Sequence, residues 1–238
     1  CLEAKKIKGI SMSCLGRASL LDHEILKLMK EAGFNEIYFG AESGSDRVLR
    51  EIMDKKMSVQ NIIDFAANCY KLRITTYAFW MMANPGERIE EMKATAHLAA
   101  ELPVFYNHFQ IALPNPGTQY YIDALEGNYL NMGSWDDARK RKHPSIIKDG
   151  VSIDDIADVD EYMKNVMVKK GWNYRYNGHI LSFVNTRLFA KRYPVKVFGN
   201  EINLFCRDFK GYHLKNIFLG IKSLLSFEKY SAAKPQPQ

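Results

Sequence analysis

One pattern constrains this chain more than any other: an extended run followed by an amphipathic run, repeated four times between residues 8 and 118. Lys8–Ser13 reads as a short strand. It leads into a helix from about Leu21 to Ala32, with Ile25, Leu28, Met29 and Ala32 at helical spacing and Gly33 as the stop. Glu36–Phe39 is a second strand, ending at Gly40. Ser45 then caps a helix carrying Val48, Leu49, Ile52 and Met53, and Ser58 caps another that turns Ile62, Ile63, Ala66 and Tyr70 inward. Thr75–Met82, β-branched and aromatic, is a buried strand stopped by Asn84-Pro85-Gly86. Arg88–Leu102 is helical, with Glu90 and Glu91 near its positive end. Phe105–Ala112 closes the series before Pro114-Asn115-Pro116-Gly117-Thr118.

Strands alternating with helices make parallel βαβ units, and right-handed crossovers place the strands in one sheet with a shared carboxyl rim. Active sites of α/β barrels are built on such a rim. The residues expected there are Cys14 and Arg17, Glu42 and Ser43, Asn84 to Gly86, and Leu113 with Pro114. Four strands cannot close a barrel, so an open sheet or additional strands are required.

From Tyr121 onward the pattern breaks, which divides the chain into an α/β part, 1–122, and a mainly helical, basic extension, 123–238. Asn131–Pro144 reads as a loop holding the basic run Arg139 to His143. Ser152–Lys169 reads as a helix, and Gly171–Val184 passes from aromatic and basic residues to apolar ones. His213–Tyr230 carries Leu214, Ile217, Phe218, Ile221, Leu224 and Leu225 on one face, with Lys215, Lys222 and Lys229 elsewhere. That stripe is expected to pack on the open edge of the barrel, with a membrane surface as the alternative. The net charge is +6, and residues 136–238 hold 19 of the 33 basic residues against 11 of the 27 acidic ones. A solvated basic face explains this imbalance, and nucleic acid is not expected as a partner.

With 47% hydrophobic residues, a disordered or collagen-like chain is excluded. No run approaches ~18 apolar residues and no secretory signal is visible, so a cytoplasmic protein is expected. Cys1, Cys14, Cys69 and Cys206 are too far apart for a zinc knuckle or a cluster-binding triplet. The six histidines form no H-E-x-x-H or H-x-H, so no metal site is expected. Phosphate-loop, dinucleotide and G-x-S-x-G signatures are absent. A first residue other than Met suggests a fragment whose front is missing.

Each rim segment has two readings. Glu42 and Ser43 suit a ribose diol or an amine, with glycine allowing close approach, or they belong to a helix cap. Ala83 to Gly86 offers backbone to a flat or anionic ligand, or is simply a strand-to-helix turn. Leu113 and Pro114 read the same way, with free strand-end backbone for an adenine edge. Arg17 is an anion-binding candidate or half of an ion pair, and Lys55 by itself reads as a solvated helix-end charge.

Four segments together resemble the radical S-adenosylmethionine (SAM) enzymes, in particular the group that often carries a cobalamin-binding domain in front. They are Cys14-Leu15-Gly16-Arg17 with the helix reaching Gly33; Phe39-Gly40-Ala41-Glu42-Ser43-Gly44-Ser45 continued to Lys55; Phe79 to Glu87; and Pro114 to Thr118. Gly171–Leu181 weakly resembles the tail of the same group. The resemblance implies an open six-stranded α/β partial barrel of which strands three to six are present. It also implies a 4Fe–4S cluster whose C-x-x-x-C-x-x-C ligands are expected upstream of this chain. In the family, SAM cleaved at the reduced cluster yields a 5′-deoxyadenosyl radical, and a cobalamin domain makes methyl transfer the natural outcome. The electron donor would be a flavodoxin or ferredoxin, and the substrate a small molecule the sequence does not name.

Carried onto this chain, Glu42 and Ser43 match a ribose-contacting motif, and Lys55 a basic position that meets the SAM carboxylate. Ala83, Asn84, Pro85 and Gly86 match the turn beside the adenosyl group, with Ala83 in place of the usual Gly and Arg88 in place of the usual Thr. Leu113 and Pro114 match the strand end that brackets adenine. Arg17 matches an arginine of unassigned role, and Met12 stands where Trp is common. Two rival readings remain: a barrel module that has lost the cluster and serves as a binding or scaffold protein, and a cluster-free barrel enzyme using Arg17 and the basic half on a phosphorylated ligand.

Overall fold

The computed structural model describes residues 11–127, 153–177 and 180–185. Its spine is four parallel strands, β1 (Met12–Gly16), β2 (Phe34–Glu42), β3 (Thr75–Met82) and β4 (Tyr106–Ile111). The crossovers are α1 (His23–Glu31), α2 (Val59–Lys71) and α3 (Ile89–Glu101). After α4 (Gln119–Glu126) and α5 (Ile153–Lys169) come β5 (Trp172–Asn177) and β6 (Ile180–Asn185). The last two pair as an antiparallel hairpin, and β6 lies antiparallel to β4, giving the order β1-β2-β3-β4-β6-β5. The α/β class and the open parallel sheet are those read from the sequence; the hairpin in 171–185 adds two strands.

Alternation along the strands divides the sheet into two faces. Ile37, Phe39 and Ala41, Ala78, Trp80 and Met82, and Asn107 and Phe109 are buried and lie on the helix side. Phe39 meets Phe65 of α2 at 4.7 Å, and Asn107 Nδ2 donates to the Ala99 carbonyl of α3 at 3.0 Å. Trp80 Nε1 donates to Asn107 Oδ1 at 2.7 Å, so the Asn107 amide is bonded through both its oxygen and its nitrogen. Trp172 Nε1 donates to the Ala100 carbonyl at 3.0 Å, tying the hairpin to α3. The opposite face carries a half-buried aromatic ladder of Tyr38, Tyr77, Phe79, Tyr106 and His108. Tyr38 stacks on Tyr77 at 4.4 Å, and Phe79 meets His108 edge-on at 5.3 Å.

Several boundaries differ from expectation. The first strand runs Met12–Gly16 instead of ending at Ser13, because its parallel ladder with β2 continues to Gly16↔Phe39. Cys14 therefore lies within the strand and not on the rim. β2 passes Gly40 and ends at Glu42. In α1, capped by Asp22 through a 2.8 Å bond from the Ile25 amide, Leu26 is fully buried, whereas Ile25 and Leu28 are 40% and 48% exposed. The inward stripe is Leu26, Met29 and Ala32, so the expected Met29 and Ala32 are kept and Leu26 takes the place of Ile25 and Leu28. The run after Ser45 is a five-residue π turn, Val48–Ile52. Tyr70, expected inward, is exposed. The apolar stripe at 213–230, the loop at 131–144 and the first residues of the expected strand lie outside the described residues.

Candidate functional site

Parallel strands bring the ends of β1 to β4 to one rim. At the end of β2 the register with β3 slips between Gly40 and Glu42, a bulge that turns the chain. Glu42 sits at φ 66, a left-handed conformation that costs a side-chain-bearing residue about 1–2 kcal/mol and is concentrated at functional sites. The conformation folds the carboxylate back over Gly40, where an added Cβ would come within 2.2 Å of Glu42 Oε1. Gly40 is therefore the floor on which the carboxylate rests. Lys55 Nζ pairs with the same Oε1, and the two side chains are 14% and 35% exposed. A carboxylate and an ammonium thus stand side by side, partly open at the rim.

The neighbouring residues do a different job. Ser43 is fully buried; its Oγ lies 3.3 Å from Thr95 Oγ1 and accepts from the Ser45 amide at 3.1 Å. The Gly44 amide donates to Thr95 Oγ1 at 2.8 Å, and a Cβ on Gly44 would lie 2.7 Å from the backbone of Ala94 and Thr95. The close approach that Gly44 permits is to α3. Ser45 Oγ caps the π turn, accepting from the Val48 amide at 3.3 Å. Of the two readings of this segment, the open one fits Glu42 and the structural one fits Ser43 and Ser45.

At the end of β3, Asn84-Pro85-Gly86-Glu87 is a turn closed by the Glu87 amide on the Asn84 carbonyl at 2.9 Å, with Gly86 at φ 77 where a type II turn needs positive φ. Ala83, at φ 57, takes the left-handed conformation with a methyl group. Asn84 is held inward: its Nδ2 donates to the Met81 carbonyl at 3.3 Å and to Glu87 Oε2 at 2.9 Å. Glu87 Oε2 also accepts from the Asn84 amide at 3.0 Å. Glu87 is 2% exposed, and burial pushes its carboxyl up to about 7 against the pull of the Asn84 bonds.

The residue that joins these two turns is one the sequence did not single out for it. Glu91, in the first turn of α3, accepts from Ser45 Oγ at 2.9 Å, Arg47 Nε at 2.8 Å, Arg47 Nη2 at 2.5 Å and the Arg88 amide at 2.9 Å. Arg47 Nη2 also donates to the Gly86 carbonyl at 2.7 Å. Arg47's bonds are the main reason Glu91 is held down at about 2, and the turn after β2 is fastened to the turn after β3.

Beyond β4, the Ala112 amide donates to the Met82 carbonyl at 2.8 Å, so the β3 and β4 ends stay together. Leu113 is half-buried, Pro114 is buried, and Thr118 caps α4 by accepting from the Tyr121 amide at 3.2 Å. Arg17 is exposed at the end of β1. Sheet order puts Arg17, Glu42, the Ala83–Gly86 turn and Leu113–Pro114 in sequence along one rim; among them, the turn after β2 and the turn after β3 are bonded together through Arg47 and Glu91. Burial raises the Cys14 thiol and pushes Cys69 up to about 12. Cys14 is half-buried in β1 and Cys69 is buried in α2. Among the described residues no group of His, Cys, Asp or Glu is placed to hold a metal ion, and no helix is long and apolar enough to cross a membrane.

Part of this chain is similar to known proteins. The model of the radical SAM superfamily matches residues 1–99. An uncharacterized methyltransferase of Pyrococcus horikoshii is 33% identical over 140 residues, 56% of this chain and 30% of that protein. The cytidylyl-2-hydroxyethylphosphonate methyltransferase of Streptomyces wedmorensis is 28% identical over 117 residues, 47% of this chain and 22% of its own length. The matched stretch thus spans less than a third of either relative. Among solved structures, the radical SAM enzyme coproporphyrinogen III oxidase of Escherichia coli superimposes with a TM-score of 0.55 at 14% identity, over 74% of this chain and 35% of that one. Its likeness is one of fold, a partial α/β barrel. Residues 1–99, within the α/β part of this chain, are similar to the radical SAM superfamily domain.

Proposed function

We propose that this chain supplies the SAM-binding rim of a radical SAM enzyme, with methyl transfer to a small molecule as its reaction. The observation that carries the proposal is the Glu42–Lys55 pair, held at the end of β2 by a bulge, a left-handed residue and a glycine floor. A carboxylate beside an ammonium complements a ligand that carries hydroxyls or an amine beside a carboxylate, as SAM does. Leu113, Pro114 and the Ala83–Gly86 turn offer an apolar edge and backbone to the adenosyl part. Bound beside a reduced 4Fe–4S cluster, SAM supplies one-electron carbon–sulfur cleavage and so hydrogen abstraction from unactivated carbon. In this reading the chain's own residues bind and orient SAM.

Methyl transfer is favoured because both curated relatives are named methyltransferases. A cobalamin-binding domain, a flavodoxin or ferredoxin as electron donor and a cytoplasmic setting belong to the same proposal. Equilibrium binding of SAM to the cluster-loaded protein tests it. Glu42→Gln should weaken binding about tenfold, the scale of one charge-assisted hydrogen bond. Lys55→Met should do the same. Affinity unchanged in both variants, with only a lowered Tm, would show the pair to be structural and overturn the assignment.

A further inference from the structure

On the face of the sheet turned away from α2 and α3, one row of residues crosses four strands. Register pairs Gly40 of β2 with Phe79 of β3, Phe79 with His108 of β4, and His108 with Ser182 of β6. Directly paired residues on neighbouring strands point to the same side, so the row shares one face. At one end is Gly40, over which the Glu42 carboxylate is folded with Lys55 beside it. At the other end is an anchored imidazole. Ser182 is buried, and its Oγ lies 3.3 Å from His108 Nδ1. The ring is thus held through one nitrogen, and Nε2 has no hydrogen-bond partner among the described residues. Adjacent strands lie about 4.8 Å apart, which puts Gly40 and His108 about 10 Å from each other. Phe79 fills the interval, edge-on to His108 at 5.3 Å and 6.3 Å from Tyr38. Tyr38, Tyr77 and Tyr106 form the next row, and all of these rings are half-buried.

We infer that this row holds the molecule to be methylated: a flat, uncharged, ring-bearing acceptor that lies against Phe79, between the Glu42–Lys55 pair and His108, and donates a ring O–H or N–H to His108 Nε2. The inference rests on the proposed function for the ligand at the Glu42 end; the row itself does not. Three observations fix the chemical class. The open rings favour a flat partner, because aromatic contacts add a preferred offset or edge-on geometry to the burial of area. A neutral imidazole has one donor and one acceptor nitrogen; with Nδ1–H donating to Ser182 Oγ, Nε2 is the acceptor and selects an O–H or N–H. Burial lowers the His108 imidazole from its ordinary value, so near neutral pH it brings no positive charge to attract a carboxylate or a phosphate. The cation of this row is Lys55, at the far end and already paired with Glu42. His108 is therefore a substrate-binding residue, and Ser182, which acts through it, is a positioning residue.

Two probes test this: 2-naphthol, and 2-methoxynaphthalene, which keeps the rings and lacks the O–H. Equilibrium binding of each to the protein without cluster or SAM is measured for wild type, His108→Leu, His108→Gln, Ser182→Ala and Phe79→Leu. Wild type should prefer the naphthol several-fold, the scale of one neutral hydrogen bond. His108→Leu should erase that preference and still bind the ether, and His108→Gln, which keeps a polar tip, should restore part of it. Ser182→Ala leaves Nε2 in place but frees the ring, so the preference should fall in part. Phe79→Leu should weaken both probes several-fold and leave their ratio unchanged. A merely structural His108 would lower the affinity for both probes without moving the ratio. Equal binding of the two probes by wild type, or a preference undiminished in His108→Leu, overturns the role of His108. Should His108→Leu not fold, an undiminished preference in His108→Gln and Ser182→Ala together overturns it as well. Phe79→Leu that weakens neither probe, or a wild type that binds neither, overturns the row as a binding surface. In a second arm SAM is titrated into the cluster-loaded protein holding 2-naphthol. The two should bind together; mutual exclusion would put the rings in the SAM site itself and overturn the acceptor role. A wild type that binds no SAM overturns the function proposed above, while the naphthol arm still decides the row.

Discussion

The turns after β2 and β3 each present a glutamate at the strand ends and treat it in opposite ways. Glu42 stays partly open and meets an ammonium group that can exchange partners with a ligand. Glu87 is sealed behind its turn with amide donors on one oxygen alone. A charge that must recognise something needs a neighbour it can leave; a carboxyl that must shape a turn needs bonds that stay. On the proposed function, the rim therefore separates recognition from support. Glu91, with four donors upon it, joins the two turns.

The largest expected effect falls on the supporting side of the β2 turn. Gly44→Ala puts a methyl group 2.7 Å from the backbone of Ala94 and Thr95, which no rotamer relieves. A loss of about 3 kcal/mol is expected in denaturant unfolding, at the upper end for overpacking. Gly117→Ala is the control: nothing lies within 4 Å of its added Cβ, and the left-handed φ of 85 alone should cost about 1–2 kcal/mol. Similar losses at both positions would remove the argument that Gly44 serves contact with α3.

The two β3-side carboxyls should give stability opposite slopes with pH. Glu87 is raised from 4.5 to about 7, so the folded state holds its proton over a range where the unfolded chain has lost it. Its contribution is complete below about 4.5 and is lost as pH rises through 7, by up to about 3 kcal/mol. Glu87→Gln should flatten that fall. Glu91, lowered from 4.5 to about 2, contributes above 4.5 and loses its contribution as pH falls toward 2. Glu91→Gln should flatten the acid limb instead. Unfolding curves in which either variant leaves its own limb unchanged would contradict the assigned environments.

Arg47→Met should cost about 2 kcal/mol, because it leaves Glu91 with fewer donors and the Gly86 carbonyl without its 2.7 Å bond. Arg50→Met removes only an exposed pair with Asp46 one turn along and should cost less than about 0.5 kcal/mol. Equal effects would mean that the junction between the turns is as weak as an ordinary surface pair.

How far the sequence reveals this arrangement depends on distance along the chain. β3 and its stop were legible because Thr75–Met82 is β-branched and aromatic and Pro85-Gly86 has one turn geometry to serve. Glu42 was legible because a strand, two glycines and a carboxylate fall within seven residues. The phase of α1 was not: apolar residues cover Ile25, Leu26, Leu28 and Met29, and only the sheet decides that Leu26 faces it. The β5–β6 hairpin was hidden because its place beside β4 is set by pairing with Tyr106–Gln110, some seventy positions earlier. Arg47 and Glu91 are forty-four positions apart, and neither looked more than a helix-surface charge. Glu87 left one usable trace, an acidic residue directly behind a proline–glycine turn that follows a buried strand. The aromatic ladder left another, in the alternate residues Tyr77 and Phe79, but period two alone does not say which face is covered.

The smallest effect sharpens the comparison most, because it concerns the one residue shared by support and recognition. Ala83 holds a left-handed φ of 57 and is 8% exposed. Replacing it with Gly removes a conformational cost of about 1–2 kcal/mol. It also gives up about 0.8 kcal/mol of methyl burial, and it adds freedom to the unfolded chain worth about 0.4–1 kcal/mol. These contributions nearly cancel, so Ala83→Gly should move stability by less than about 1 kcal/mol. Recognition has no such cancellation. If the turn lies against a bound adenosyl group, losing the methyl lets the backbone come closer, and SAM affinity should rise a few-fold at unchanged Tm. A stability loss above about 2 kcal/mol would place the methyl in the supporting layer with Glu87. Unchanged affinity at unchanged stability would move the ligand away from this turn and leave Glu42 as the recognising end of the rim.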